Sequence, residues 1–208
     1  MKQKYCTLYI VRHGQTDWNV QKLLQGQQDS ALTELGITQA KELQETLREI
    51  HFDGIFSSDL LRTKKTAEII VLERQLAVQT TKLLRERNFG KFEGRPYAEL
   101  DKEIAESFKD YEKLSDEQKF KFKTADIESD EELFLRFNIW LREIAAAFAG
   151  KTILVVSHGG MIRSLLIHLG YGTYSQIPHS GIANGGFVKI ESDGVDYFIK
   201  EVVGVTKV

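Results

Sequence analysis

Short apolar runs alternate along the chain with longer segments of helical period, the pattern of βα units wound around a mostly parallel sheet. Three runs carry most of the information. Leu8 to Val11 leads into Arg12-His13-Gly14, Gly54 to Phe56 leads into SSDLLR at 57–62, and Ile153 to Val156 leads into Ser157-His158-Gly159-Gly160. Each reads as a buried strand that ends in polar residues and a turn. In open α/β sheets ligands bind beyond the carboxyl ends of the strands, so Arg12, His13, Arg62 and His158 are predicted to converge at one sheet edge.

The segments between are readable as helices. Thr33 is an N-cap candidate for a segment whose apolar positions Ile37, Ala40, Leu43, Leu47 and Ile50 share one face. Ser57, Ser58 and Asp59 are cap-type residues before a helix carrying Leu60, Ala67, Ile70 and Val71, with Arg62 in its first turn. Leu133, Phe137, Leu141, Ile144 and Phe148 predict a helix ending near Gly150, and Ile162, Leu165 and Leu169 predict another after Gly160. The tail from Gly186 to Val202 reads as strands joined by a turn at Ser192, Asp193 and Gly194.

Between Tyr97 and Glu132 the pattern changes to alternating Lys, Asp and Glu with Phe108, Tyr111, Phe120 and Phe122 interspersed. This predicts a helical excursion at about 95–132, either a lid over the site or a charged, solvated cover. No repeat or low-complexity linker divides the chain, so residues 1–208 are expected to form one domain.

Composition narrows the function classes. The 208 residues are 42% hydrophobic and 28% charged, which excludes disorder and fibre, and a fold of this length buries a core large enough to shelter chemistry. Lys and Arg total 28 against 30 Asp and Glu, a net charge of −2, so the excess of a nucleic-acid binder is missing and any anion site must be local. The single Cys6 cannot form an intrachain disulfide, no secretion-type leader is evident, and the longest apolar runs are strand-sized. A cytoplasmic protein without a membrane or nucleic-acid partner is the expectation; oligomeric state is not legible.

Two histidines and two arginines at one sheet edge make a cationic site suited to an anion. Guanidinium presents a planar donor fork that matches phosphate, and backbone amides at Gly-rich strand-to-helix turns add donors. Neither GxxxxGK[ST] nor GxGxxG occurs, so a nucleotide cradle of those kinds is not supported.

VRHGQTDWN at 11–19 resembles the signature of the histidine phosphatase superfamily, phosphoglycerate mutase-like branch. The segments at 25–36, 56–70, 84–95, 128–137 and 155–166 are similar to that family's blocks in the family's order, which makes coincidence of a lone RHG irrelevant. The resemblance implies a three-layer α/β/α sandwich and a phosphoryl-transfer reaction that needs no metal or other cofactor. It implies that His13 is the nucleophile forming a phosphohistidine, that Arg12, Arg62 and His158 surround the phosphoryl oxygens, and that Glu86 gives and takes the proton. Asn19 and Gly159 match further phosphate contacts, and Gln25 and Gly26 match positions lining the substrate pocket.

Other residues keep ordinary readings: His51, His168 and His179 as structural histidines, Trp18 and Trp140 as packing residues, Glu93 and Glu99 as structural or surface groups, and Arg74, Arg136 and Arg142 as solvated cations. Arg87, Arg95 and the lysines at 102, 109, 113, 119, 121 and 123 are candidates for contacting a second substrate charge.

The same core supports hydrolysis or mutase chemistry. Mutases of the family carry paired arginines in an insertion, whereas here no arginine lies between Arg95 and Arg136 and the only prolines are Pro96 and Pro178. The usual Pro-Gly before Glu128 is replaced by Asp126 and Ile127. The expectation is a phosphomonoesterase acting on a small phosphorylated metabolite, a sugar phosphate or phosphorylated acid, with some similarity to the TIGAR-like sugar bisphosphatases. Bisphosphoglycerate-dependent phosphoglycerate mutase activity is the alternative, and a noncatalytic phosphate-binding module a third.

Overall fold

A computed structural model describes residues 4–104, 109–124 and 126–208. The first half runs β1 (Cys6–Arg12), α1 (Asp17–Val20), α2 (Glu34–Thr46), β2 (Gly54–Ser58), α3 (Leu61–Ile70) and β3 (Val78–Thr81). The second half runs α4 (Tyr97–Ile104), α5 (Asp116–Lys121), α6 (Asp130–Ala147), β4 (Thr152–Ser157), α7 (Gly159–His168), β5 (Ile182–Ser192) and β6 (Tyr197–Val205).

The strands form one sheet in the order β3-β2-β4-β1-β5-β6. β3, β2, β4 and β1 are parallel, while β5 and β6 add antiparallel strands at the β1 side. Side chains alternate across this sheet because a strand has a period of two. Leu8 and Ile10 of β1 and Ile153 and Val155 of β4 therefore enter the core shared with Leu133, Phe137, Leu141, Met161, Ile162 and Leu165 of α6 and α7. Tyr9, Val11, Leu154 and Val156 point the other way, against Leu43, Ala67 and Ile70 of α2 and α3. The result is an α/β/α sandwich, as the family resemblance implies, with the mostly parallel sheet that the apolar pattern predicts.

β1 feeds a helix on one face, α2, and β4 feeds a helix on the other, α7, so the chain leaves these two neighbouring strands in opposite directions. Such a divergence at the carboxyl ends of neighbouring strands is where α/β sheets bind ligands. Register brings Arg12 opposite Ser157, and the His13 amide donates to the Ser157 carbonyl at 3.1 Å, so His13 and His158 emerge side by side.

Several boundaries differ from the sequence pattern. Thr33 caps α2 as predicted, its hydroxyl accepting from the Gly36 amide at 3.0 Å, but the helix ends at Thr46, with buried Leu47 as C-cap and Ile50 in the following turn. α3 is not capped by the side chain of its own N-cap, Leu60. Asp59 instead pairs with Arg85 at 2.6 Å, and the first amide of α3 is taken by Asp29 from a remote loop. The tail hairpin is longer than expected, starting at Ile182 and ending at Val205. β3 was not signalled by any apolar run, since it is an edge strand whose residues are exposed or half-buried.

In the excursion after Pro96, the described residues form α4, a short 3-10 turn at Tyr111–Lys113 and α5. Phe108 lies outside the described residues. Phe120 packs edge-on against Phe134 of α6 at 6.0 Å, and Lys119 is buried over the Tyr111 ring. Lys113, Lys121 and Lys123 pair with Asp110, Glu117 and Glu132, which makes these three part of a solvated ion-pair surface.

Candidate active site

His13 follows β1 and is 3% exposed. Its Nδ1 lies 2.7 Å from the Gly14 carbonyl. A carbonyl only accepts, so Nδ1 carries the hydrogen and Nε2 carries the lone pair. Burial, then the Arg62 and Arg12 guanidiniums, hold the imidazole well below the ordinary histidine range, against the opposing pull of the Gly14 bond. Near neutral pH the ring is therefore uncharged, with Nε2 ready as a nucleophile. Asn184 on β5 steadies the segment by donating to the His13 carbonyl at 3.0 Å.

His158 is fully buried and begins α7 as its N-cap. Its ring centroid lies 5.3 Å from that of His13, edge-on, and neither of its ring nitrogens has a hydrogen-bond partner among the described residues. Burial, followed by Arg62, keeps it well below the ordinary range as well. A buried polar ring without partners is costly, and its two nitrogens are free to bond an incoming group.

Arg12 and Arg62 supply the cations. Arg12 donates through Nη1 to the Ile182 carbonyl and leaves Nε buried, without a partner among the described residues. Arg62, 1% exposed in the first turn of α3, donates to the carbonyls of Gln28 (2.5 Å) and Gly26 (2.7 Å) and to Asp29 (3.0 Å). Its Nε is also buried without a partner. Burial lowers both guanidiniums from their ordinary values, with Glu86 pulling both back up and Asp29 doing so for Arg62. Two unfilled Nε–H donors, two neutral histidines and two guanidinium charges make a donor set chemically suited to a multiply charged oxyanion.

Glu86 stands between the loop after β3 and the start of α7. Its Oε2 accepts from the Gly160 amide at 2.9 Å and its Oε1 from the Arg87 amide at 2.7 Å. A Cβ on Gly160 would lie 2.3 Å from Oε1, so the glycine is what admits the carboxyl here. Gly159 likewise admits Arg12, whose Nε would be 3.1 Å from a Cβ at that position.

The remaining expected residues are placed less directly. Asn19 uses its Oδ1 in the capping box of α1, accepting from the Thr16 amide at 3.1 Å. Gln25 is buried and accepts from Ser30 at 3.3 Å. Gly26 contributes a carbonyl to Arg62 and has φ +52°, a left-handed conformation that favours glycine. Arg87 is paired with Asp130 and donates to the Glu128 carbonyl at 2.8 Å, and Arg95 is paired with Glu99 at 2.8 Å. His51 is exposed, and His168 stacks on Phe134 at 3.7 Å. Trp140 packs against Phe56 in the core.

Two residues support the site from outside it, Glu93 as one of the structural groups expected and Arg136 in a role its sequence position does not signal. Arg136, read as a solvated cation, donates to the Glu86 and Leu83 carbonyls at 2.9 Å each and pairs with Glu128 at 2.6 Å, so it fixes the strap that carries Glu86. Glu93 receives the amides of Gln27 and Phe89 on one oxygen, each at 3.0 Å, tying the Arg62-binding turn to the Glu86 loop. The contacts that make these links, Glu93 with Gln27 and Arg136 with the Leu83 and Glu86 carbonyls, join residues 50 or more positions apart and leave no local signal.

The sequence profile of the Histidine phosphatase superfamily (branch 1) matches residues 8–203. The chain belongs to this family. The histidine phosphatase fold is shared with Bacillus stearothermophilus YhfR at a TM-score of 0.83 and 28% identity, covering 97% of this chain and 98% of that one. Similar histidine phosphatase relatives carry divided names. The uncharacterized phosphatase PhoE of Bacillus subtilis is 33% identical over 78% of this chain and 77% of its own length. A probable phosphoglycerate mutase, GpmB, of Yersinia pestis is 38% identical over 76% of this chain and 72% of its own length. Among the described residues no His, Cys, Asp and Glu cluster could hold a metal ion, and no helix is long and apolar enough to cross a membrane.

Proposed function

We propose that this histidine phosphatase hydrolyses a small phosphomonoester, a sugar phosphate or phosphorylated acid, through a phosphohistidine on His13, without a metal or other cofactor. The observation that carries this reading is the His13 ring itself: its Nδ1–H is fixed on Gly14, leaving a neutral Nε2 beside unfilled donors on Arg12 and Arg62. Nε2 attacks phosphorus in line while the bond to the alcohol oxygen breaks, and Glu86 in its acid form gives that oxygen a proton. Water then attacks phosphorus, the P–N bond breaks, Glu86 takes the proton of the water, and phosphate leaves with His13 neutral again. Arg12, Arg62 and His158 hold the equatorial oxygens through both steps, the electrostatic stabilisation on which phosphoryl transfer depends.

Hydrolysis is favoured over mutase chemistry because residues 96–135 hold no arginine for a second anionic group, and three lysines of that stretch are paired with local carboxylates. The test is phosphate release from a panel of phosphomonoesters in EDTA, with His13→Ala in parallel and a coupled assay for 2- and 3-phosphoglycerate interconversion. Metal-independent release lost in the variant supports the proposal. Interconversion that depends on added bisphosphoglycerate, without hydrolysis, would replace it with a mutase, and silence in both assays would leave a phosphate-binding module.

A further inference from the structure

We propose that Asp29 is the positioning residue of the phosphate clamp: it locks the Arg62 guanidinium and the first turn of α3 together, so that the Nε edge of Arg62 is presented to the phosphoryl group. The proposal rests on the phosphoryl-transfer reading of the site. Asp29 lies in the turn between Gly26 and Ser30, 33 residues before Arg62. One carboxylate oxygen accepts from the Leu61 amide at 2.9 Å, and the other from Arg62 Nη1 at 3.0 Å. The same residue thus does two jobs. It supplies the cap that Leu60 cannot, and it is the charged partner of a guanidinium that is 1% exposed.

The donor count shows what this achieves. Arg62 has five N–H donors. Gln28, Asp29 and Gly26 engage Nη1 twice and Nη2 once, all from one short turn, while Nε stays buried without a partner. Two of those acceptors are backbone carbonyls. Asp29 is the side chain that can be altered, and the one that ties the fork to the backbone of its own helix. Without it the guanidinium keeps its charge and its two carbonyl partners but loses the tie to the backbone of its own helix, and misplacement of a clamp by about 1 Å costs about 10²-fold in rate.

Asp29→Asn is the test variant, since an amide cannot accept on both sides. Asp53→Asn is the control: Asp53 accepts from the Thr152 amide at 2.9 Å, at the opposite end of the sheet from the site. Both variants are expected to lower Tm by a few degrees. Only Asp29→Asn is expected to lower kcat/KM, by about 10²-fold and mainly in kcat, and to weaken inhibition by orthovanadate in proportion. In an Arg62→Ala background it is expected to add no more than about a threefold loss, because both changes remove one constraint. Asp29→Glu, which keeps the charge, replaces the asparagine variant should that not fold, with a smaller loss in the same assays. If Asp29→Asn matches Asp53→Asn in Tm while turnover and vanadate inhibition stay at wild-type values, Asp29 is a helix cap and the proposal is overturned. If its loss multiplies fully with that of Arg62→Ala, it acts elsewhere and the proposal is again overturned. A wild-type protein that neither turns over phosphomonoesters nor is bound by vanadate would overturn the phosphoryl-transfer reading itself, a result distinct from both.

Discussion

Gly160→Ala separates catalysis from stability at a single atom. The added methyl group would sit 2.3 Å from Glu86 Oε1 and 3.0 Å from its Cδ, so the carboxyl must retreat by about 1 Å to reach ordinary contact. What gives way is the end of a flexible side chain, and alanine favours a helix over glycine by up to about 1 kcal/mol. Tm is therefore expected to stay within a few degrees of wild type. Catalysis is expected to suffer, because a positioned acid contributes about 10² to 10⁴ in rate and about 1 Å of misplacement costs about 10². A loss of about 10² corresponds to about 2.7 kcal/mol of transition-state stabilisation. The leaving group sharpens the assay. An alkyl phosphate needs its oxygen protonated as it departs, whereas p-nitrophenyl phosphate releases a stable anion. In kcat/KM, which reads only the steps through loss of the alcohol and not the later attack of water, the variant is expected to lose about 10²-fold on the alkyl ester and much less on the aryl ester. Equal losses on both esters, or full activity with a lowered Tm, would refute the placement of Glu86 as the proton donor.

Three further outcomes follow from the same geometry. His13 and His158 titrate below the ordinary histidine range in the folded protein, so the unfolded chain binds more protons and stability falls on acidification. The loss begins near pH 6.5 and grows as the pH falls further, measurable by urea unfolding; His158→Ala should flatten the slope, and an unchanged slope would contradict a neutral buried ring. Arg62→Lys keeps the charge but cannot span Gly26, Gln28 and Asp29, so kcat/KM should fall about 10² to 10³-fold, and near-wild-type kinetics would argue against a guanidinium clamp. Ser129→Ala removes the capping box of α6 and should cost about 1 kcal/mol in chemical denaturation, with no loss meaning that the box adds nothing to the helix.

The strands that build the site were legible because they are buried on both faces. Leu8 to Val11 and Ile153 to Val156 face helices on either side, so their runs are continuously apolar, and the polar residues after them could be read as the ends that meet a ligand. β3 is an edge strand with exposed residues and leaves no such trace. Arg12, His13, Arg62 and His158 were placed at one edge by their positions after three apolar runs, whereas Glu86 needed a family resemblance: it sits on an irregular strap whose path periodicity does not describe. Asp29, Glu93 and Arg136 were opaque for a further reason. Their partners, Arg62, Gln27 and the Glu86 carbonyl, are brought near by the crossing of loops from different βα units. Asp59 shows the converse. Its position before α3 suited a cap, but the Arg85 guanidinium takes both of its oxygens, at 2.7 and 2.6 Å.

The most direct test of the chemistry is a rapid alkaline quench of the protein during turnover of a phosphomonoester carrying labelled phosphorus, followed by mapping of the label. Acid-labile, base-stable label on the peptide containing His13, absent from His13→Ala, is the expected result. Turnover that proceeds at the wild-type rate with no labelled protein, or with label at another residue, would contradict a phosphohistidine on His13.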